Sequence, residues 1–143
     1  MLGRMNHVGL TVLSIDDTIN FYKKLTTVEI IEAAVRISGE GVSKVIDVAD
    51  PDYKSCLANI GSRSFELVEH SSSKGKHFIA NHNDAGGIHL AFMVEDIEAV
   101  YLQVKSLGIE PRTKPYTAHD LGGYKAFFFR DINGFQIEIG QLN

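Results

Sequence analysis

The sequence predicts an α+β fold built from two copies of one unit, each a strand, a helix and then about three strands. Three observations carry that expectation. First, the chain repeats itself without a gap at an offset of 82 positions, so that His7 falls on His89, Val12 on Val94, Ile15 on Ile97, Lys23 on Lys105 and Leu25 on Leu107. A repeat at this spacing marks a duplicated supersecondary unit. Second, each copy passes from period-two alternation into a capped stripe of helical period. Third, each half ends in an alternating strand that carries a glutamate on one face amid apolar neighbours, Glu66 and Glu138.

Taken in order, residues 6–13 alternate, with Val8, Leu10 and Val12 on one face and His7, Gly9 and Thr11 on the other. Ser14 stands where a helix N-cap belongs, with Asp17 three positions later. Ile15, Ile19, Tyr22 and Leu25 then supply an apolar stripe, with Phe21 beside it. Residues 28–34 suit a strand, residues 38–41 a loop, and residues 42–48 a further strand ended by Asp50-Pro51-Asp52. Residues 55–60 and 64–69 alternate about a turn at Gly61-Ser62-Arg63; Phe65 and Leu67 share one face, Glu66 and Val68 the other.

Ser71-Ser72-Ser73-Lys74-Gly75 has linker chemistry, and residues 76–83 suit a short helix. The second copy follows, with His89, Ala91 and Met93 on one face of a strand and Leu90, Phe92 and Val94 on the other. Asp96 caps a helix striped by Ile97, Val100, Tyr101 and Val104, which Gly108 closes. Pro111 and Pro115 bracket a loop, and residues 116–123 look irregular. Residues 124–129 and 135–140 are strands joined at Asn133-Gly134. The expected organisation is a single domain over 1–143, with a first module at about 5–70, a linker at about 71–86 and a second module at about 87–143.

Composition narrows the function classes. A net charge of -4 gives no electrostatic footprint for nucleic acid or an anionic membrane surface. No apolar run reaches the length of a membrane helix, and the start of the chain has no signal-peptide pattern. The single cysteine, Cys56, suits a reducing compartment and reads as a small core residue. A cytoplasmic, acidic globular protein is therefore expected, without nucleic-acid or membrane partners.

If two copies of one unit pack about a pseudo-twofold axis, the side chains at equivalent positions converge. His7, Glu66, His89 and Glu138 then form a ligand set of two imidazoles and two carboxylates for one divalent first-row metal. Gly9 and Ala91, two residues beyond each histidine, leave room above it. A glutamate amid valine and isoleucine also needs a reason, because a buried carboxylate is costly unless paired or metal-bound. His70, His77 and His82 lack the repeat relation and read as surface residues near the linker. His119 lies in a loop able to cover a site and is a substrate-contact candidate, as is Lys125.

The chain resembles the vicinal oxygen chelate superfamily, the glyoxalase/bleomycin resistance/extradiol dioxygenase group. The resemblance rests on Asn6-His7-Val8-Gly9-Leu10, on Asp17 through Leu25, on Phe65-Glu66-Leu67, on Gly87-Ile88-His89-Leu90-Ala91-Phe92 and on Asp131 through Glu138. The last block matches an Asp-Pro-x-Gly-x-x-x-Glu ending, with Ile132 in place of proline. The resemblance implies tandem βαβββ modules forming a half-open, cup-shaped mixed sheet with helices outside and a metal in the cleft.

Within the superfamily, glyoxalase I (lactoylglutathione lyase)-like members are similar in placing Glu where Glu66 stands. Methylmalonyl-CoA epimerase-like members are similar through Phe78-Ile79-Ala80-Asn81-His82 and Gly87-Ile88-His89, but carry Gln at that position. Dioxygenases use two His and one Glu, and bleomycin-binding members lack the metal set. The resemblance thus implies a divalent-metal-dependent lyase or isomerase of the glyoxalase I type, moving a proton through an enediolate of a substrate chelated by adjacent oxygens. The metal would be Ni, Co, Zn or Mn. Glu138 is the first choice of base, with Glu66 its counterpart on the other substrate face. An acyl-CoA epimerase is the runner-up; an iron-dependent ring-cleaving dioxygenase and a drug-binding protein are further alternatives. Members of this size are commonly homodimers.

Overall fold

A computed structural model describes residues 1–72 and 74–142, so Ser73 of the expected linker lies outside the described residues. The chain divides into two compact units, Met1–His77 and Phe78–Asn143. Unit 1 runs β1 (Val8–Thr11), α1 (Ile15–Tyr22), β2 (Val28–Ser38), α2 (Glu40–Ile46), β3 (Asp52–Ile60) and β4 (Arg63–His70). Unit 2 runs β5 (His89–Met93), α3 (Ile97–Ser106), β6 (Tyr116–Ala118), a 3-10 turn (His119–Leu121), β7 (Tyr124–Arg130) and β8 (Gln136–Gln141).

Each unit forms one four-stranded mixed sheet of the same topology, β1-β4-β3-β2 and β5-β8-β7-β6. In both, the first strand lies parallel to the last, while the other pairs are antiparallel. The expected α+β class and duplicated module are therefore present.

Local chemistry explains why each helix starts where it does. Ser14 Oγ accepts the Asp17 N–H at 3.2 Å, and Asp96 Oδ1 accepts the Ala99 N–H at 3.0 Å. A second acceptor arrives from the last strand of each unit. Glu69 Oε2 takes the Ile15 N–H at 2.8 Å, and Gln141 Oε1 takes the Ile97 N–H at 2.8 Å. Both acceptors lie three residues beyond the glutamates singled out above, so one device aligns sheet and helix in both copies. Gly108, at φ 76°, closes α3 in the left-handed conformation as expected.

The cores occupy the face opposite those glutamates. In unit 1, Leu10, Ile19, Tyr22, Cys56, Ala58, Ile60 and Leu67 are buried; in unit 2, Ile97, Val104, Phe127, Phe129, Ile137 and Ile139 are. Cys56 is 2% exposed, and burial, with a smaller contribution from the charge of Asp16, pushes its thiol pKa up, as suits a core residue.

Three local expectations are corrected. Residues 42–48 are not a strand: α2 covers most of them. Val42, Val45 and Ile46 fall at helical spacing, and Lys44 pairs with Glu40 at 2.9 Å one turn away. Residues 76–83 form no helix. There Asp84 Oδ2 accepts the Asn81 N–H at 2.6 Å, a local bond that competes with helical pairing. Finally, residues 116–118 are not irregular but pair with β7 as an edge strand.

Candidate metal centre

Parallel pairing of first and last strands brings each histidine to its glutamate. Gly9 lies opposite Glu66, and Ala91 opposite Glu138. His7 and His89 sit two residues earlier, hence on the same face and diagonally across from the glutamates. Their side chains meet accordingly: His7 Nε2 is 3.3 Å from Glu66 Oε2, and His89 Nε2 is 3.1 Å from Glu138 Oε2. The four expected residues are thus assembled as two equivalent pairs. Among the described residues, no group of three or more His, Cys, Asp or Glu side chains forms a metal-holding cluster.

In each pair the second carboxylate oxygen is held by a hydroxyl. Ser55 Oγ donates to Glu66 Oε1 at 2.6 Å, and Tyr124 Oη donates to Glu138 Oε1 at 2.7 Å. Burial, the bond to Glu138 and the charge of Glu138, in that order, push the Tyr124 pKa up to about 12. The phenol therefore stays a proton donor throughout the neutral range. The two carboxylates differ in exposure: the Glu66 side chain is 34% exposed and that of Glu138 only 13%.

The donor geometry fits a metal ion. Two ligands held about 2.0–2.2 Å from one ion lie about 2.8–3.6 Å apart at octahedral to tetrahedral angles. Both Nε2–Oε2 separations, 3.3 and 3.1 Å, fall in that interval. His7 Nδ1 also lies 2.8 Å from Asn6 Oδ1, an outer partner of the kind that orients a ligating ring, here with Nε2 toward Glu66. Gly9 is not needed for space: a Cβ there would lie 3.8 Å from Glu66 Oε2, an ordinary contact, as Ala91 illustrates in the other unit.

Several residues at the site were not expected from sequence. His82, taken as a surface residue, is exposed, but its ring stacks on His89 at 5.6 Å and meets Phe128 edge-on at 5.7 Å. Its segment is held where Arg130 and Gln136 donate to the Ala80 carbonyl at 2.8 and 3.4 Å. Ser55 and Tyr124 were missed because their partners lie on the neighbouring strand. The repeat held a signal for the tyrosine: Leu57 faces Glu66 and Phe128 faces Glu138 in register, and Tyr53 and Tyr124 each stand four residues earlier. Of the weaker candidates, His119 opens the exposed 3-10 turn. Lys125 follows Tyr124 on β7, so strand alternation puts it on the face of Phe127 and Phe129 rather than that of Glu138.

Relatives agree with this architecture. A 2-epi-5-epi-valiolone epimerase from Actinomyces is 26% identical over 145 residues, covering 96% of this chain and 79% of that protein. A glyoxalase family protein from Bacillus cereus superposes with a TM-score of 0.79 at 21% identity, over 99% of this chain and 95% of that one. The fosfomycin resistance protein FosX from Listeria monocytogenes, in complex with Mn(II) and sulfate, superposes at 0.64 with 16% identity, over 100% and 95%. At these identities the two structures show the fold. Residues 4–139, nearly the whole chain, match one family model, and the chain belongs to the Glyoxalase/Bleomycin resistance protein/Dioxygenase superfamily.

Proposed function

We propose that the protein is a divalent-metal-dependent lyase or isomerase of the glyoxalase I type, moving a proton on a carbon beside a carbonyl of a small substrate with two adjacent oxygens. The observation that supports it most is the pair of His–Glu contacts at equivalent positions, each with the donor separation of two ligands on one ion. His7, Glu66, His89 and Glu138 would serve as the metal ligands, each His–Glu pair lying within its own unit. The imidazole and carboxylate donors suit Ni, Co, Zn or Mn, and FosX is a superfamily fold that carries Mn(II). A bound ion would supply Lewis-acid polarisation of the substrate oxygens.

The chain's own part is proton handling. A carboxylate oxygen beside the substrate carbon takes the proton as a general base and returns it as a general acid. Glu138 is the first choice, on the resemblance to glyoxalase I, and Glu66 stands ready on the other face. Ser55 and Tyr124 keep one oxygen of each carboxylate engaged and so direct the other. The related epimerase favours a second reading within the same chemistry, in which one glutamate removes the proton and the other returns it to the opposite face.

Exchange of substrate carbon-bound hydrogen with deuterated water, followed by NMR with the metal-loaded protein, tests both readings. A glutathione hemithioacetal and small polyhydroxy ketones are the first substrates to offer. Loss of exchange by about two orders of magnitude in Glu138→Gln, with metal retained, is the expected result for removal of a general base. Comparable loss in Glu66→Gln favours the two-base epimerase. Near-wild-type exchange in both variants contradicts the mechanism.

A further inference from the structure

The two units are not equivalent at one point beside the glutamates. Two residues beyond Glu66 stands Val68; two residues beyond Glu138 stands Gly140. Both positions lie on the same face as the glutamate before them. A Cβ at Gly140 would overlap the Tyr124 hydroxyl and lie 2.7 Å from its Cζ and 2.9 Å from its Cε2. Only a residue without a side chain lets the ring lie across β8 and deliver its hydroxyl to Glu138. In unit 1 the place is filled by valine. The equivalent tyrosine, Tyr53, lies against His70 at 5.1 Å, and the short arm of Ser55 reaches Glu66 instead.

We propose that Tyr124 is a positioning residue for Glu138, admitted by Gly140, and that it commits one carboxylate oxygen to the protein so that the other faces His89 and the metal. The inference rests on the metal reading above and deepens it. A phenol is a rigid donor with two rotatable bonds and is already fixed by packing, so it holds the carboxylate with little entropy left to lose. The two pairs thereby acquire different characters. Glu138 is 13% exposed and tied by a phenol, whereas Glu66 is 34% exposed and tied by a serine hydroxyl. Hydrogen-bond partners behind metal ligands change metal affinity by about 10–100-fold when removed.

The test uses the full-length protein and Co(II) as the probe, with Tyr124→Phe, Gly140→Ala and Tyr53→Phe. Tyr124→Phe keeps the ring and should leave the metal-free melting temperature close to wild type. It is expected to weaken Co(II) binding about tenfold or more and to alter the visible Co(II) spectrum. Gly140→Ala, which displaces the phenol, should change the spectrum in the same direction, whereas Tyr53→Phe should change neither quantity. In the metal-free protein, the His89 imidazole NMR resonances should shift in Tyr124→Phe and not in Tyr53→Phe. Unchanged Co(II) affinity and spectrum in Tyr124→Phe would overturn the positioning role while leaving the two pairs as ligands. Wild-type protein that takes up no Co(II) would overturn the metal reading, and the His89 resonances would then decide the positioning role alone: a shift supports it, no shift ends it.

Discussion

Glu69 accepts the backbone N–H of Ile15 at 2.8 Å, so the last strand of unit 1 terminates on the first turn of its helix. The bond supplies one of the helix's orphan donors from 54 residues away. Glu69→Ala is expected to cost about 1 kcal/mol in urea unfolding, the scale of a lost N-cap, and Glu69→Gln much less, because Gln141 makes the same bond in unit 2. Glu69→Ala as stable as wild type would show that water replaces the carboxylate at no cost.

The core of unit 2 depends on a few aromatic side chains. Phe127 is 1% exposed, with its ring centroid 5.5 Å from that of Tyr101. Phe127→Ala should lower unfolding free energy by about 3–5 kcal/mol. Leu102, 66% exposed on the same helix as Tyr101, should tolerate alanine within about 0.5 kcal/mol. Equal effects at the two positions would mean that α3 does not pack through the face described.

Much of this architecture was legible in the sequence because it is local and periodic. Ser14, Asp96 and Gly108 are helix signals within one turn of the elements they bound, and the alternation around His7, Glu66, His89 and Glu138 gives the faces directly. The repeat supplied what local patterns lack, namely which faces correspond. Two kinds of feature stayed hidden. In α2, Val42, Val45 and Ile46 are β-branched, and their strand propensity masked a helical spacing. The other kind is a cross-strand relation: Ser55 to Glu66, and Tyr124 to both Glu138 and Gly140, depend on register, which no single segment encodes.

Acid should loosen the pairing between β2 and β3. Arg36 donates to Asp52 through Nε at 2.7 Å and Nη2 at 2.8 Å, and that hydrogen bonding holds the Asp52 carboxyl below the ordinary carboxylate range. A depressed folded pKa adds stability above the unfolded value of about 3.9, and the contribution disappears as pH falls through the folded value. The effect should be small, because the Arg36 side chain is 71% exposed and the pair is screened by solvent. Asp52→Asn should therefore differ from wild type near neutral pH and converge with it in strong acid, as followed by thermal melting. A difference that grows in acid would contradict the pairing.

Metal should stabilise the fold without being required for it. A ligand that binds only the folded state adds about 2.7 kcal/mol at a hundredfold excess over Kd. Mn(II) or Co(II) should raise the melting temperature and a chelator lower it. Because the buried residues Leu10, Leu67, Phe127 and Ile137 lie on the faces away from the glutamates, the chelated protein should keep a cooperative transition. A chelated protein without one would make the metal a structural element.

Metal content of the purified protein, measured for wild type, His7→Ala and His89→Ala, addresses the central claim most directly. If the His–Glu pairs supply the metal ligands, wild type carries about one divalent metal per chain and the histidine substitutions lose most of it, since each removes a ligand. Metal content unchanged by both substitutions would place any bound ion elsewhere and remove the basis of the proposed chemistry.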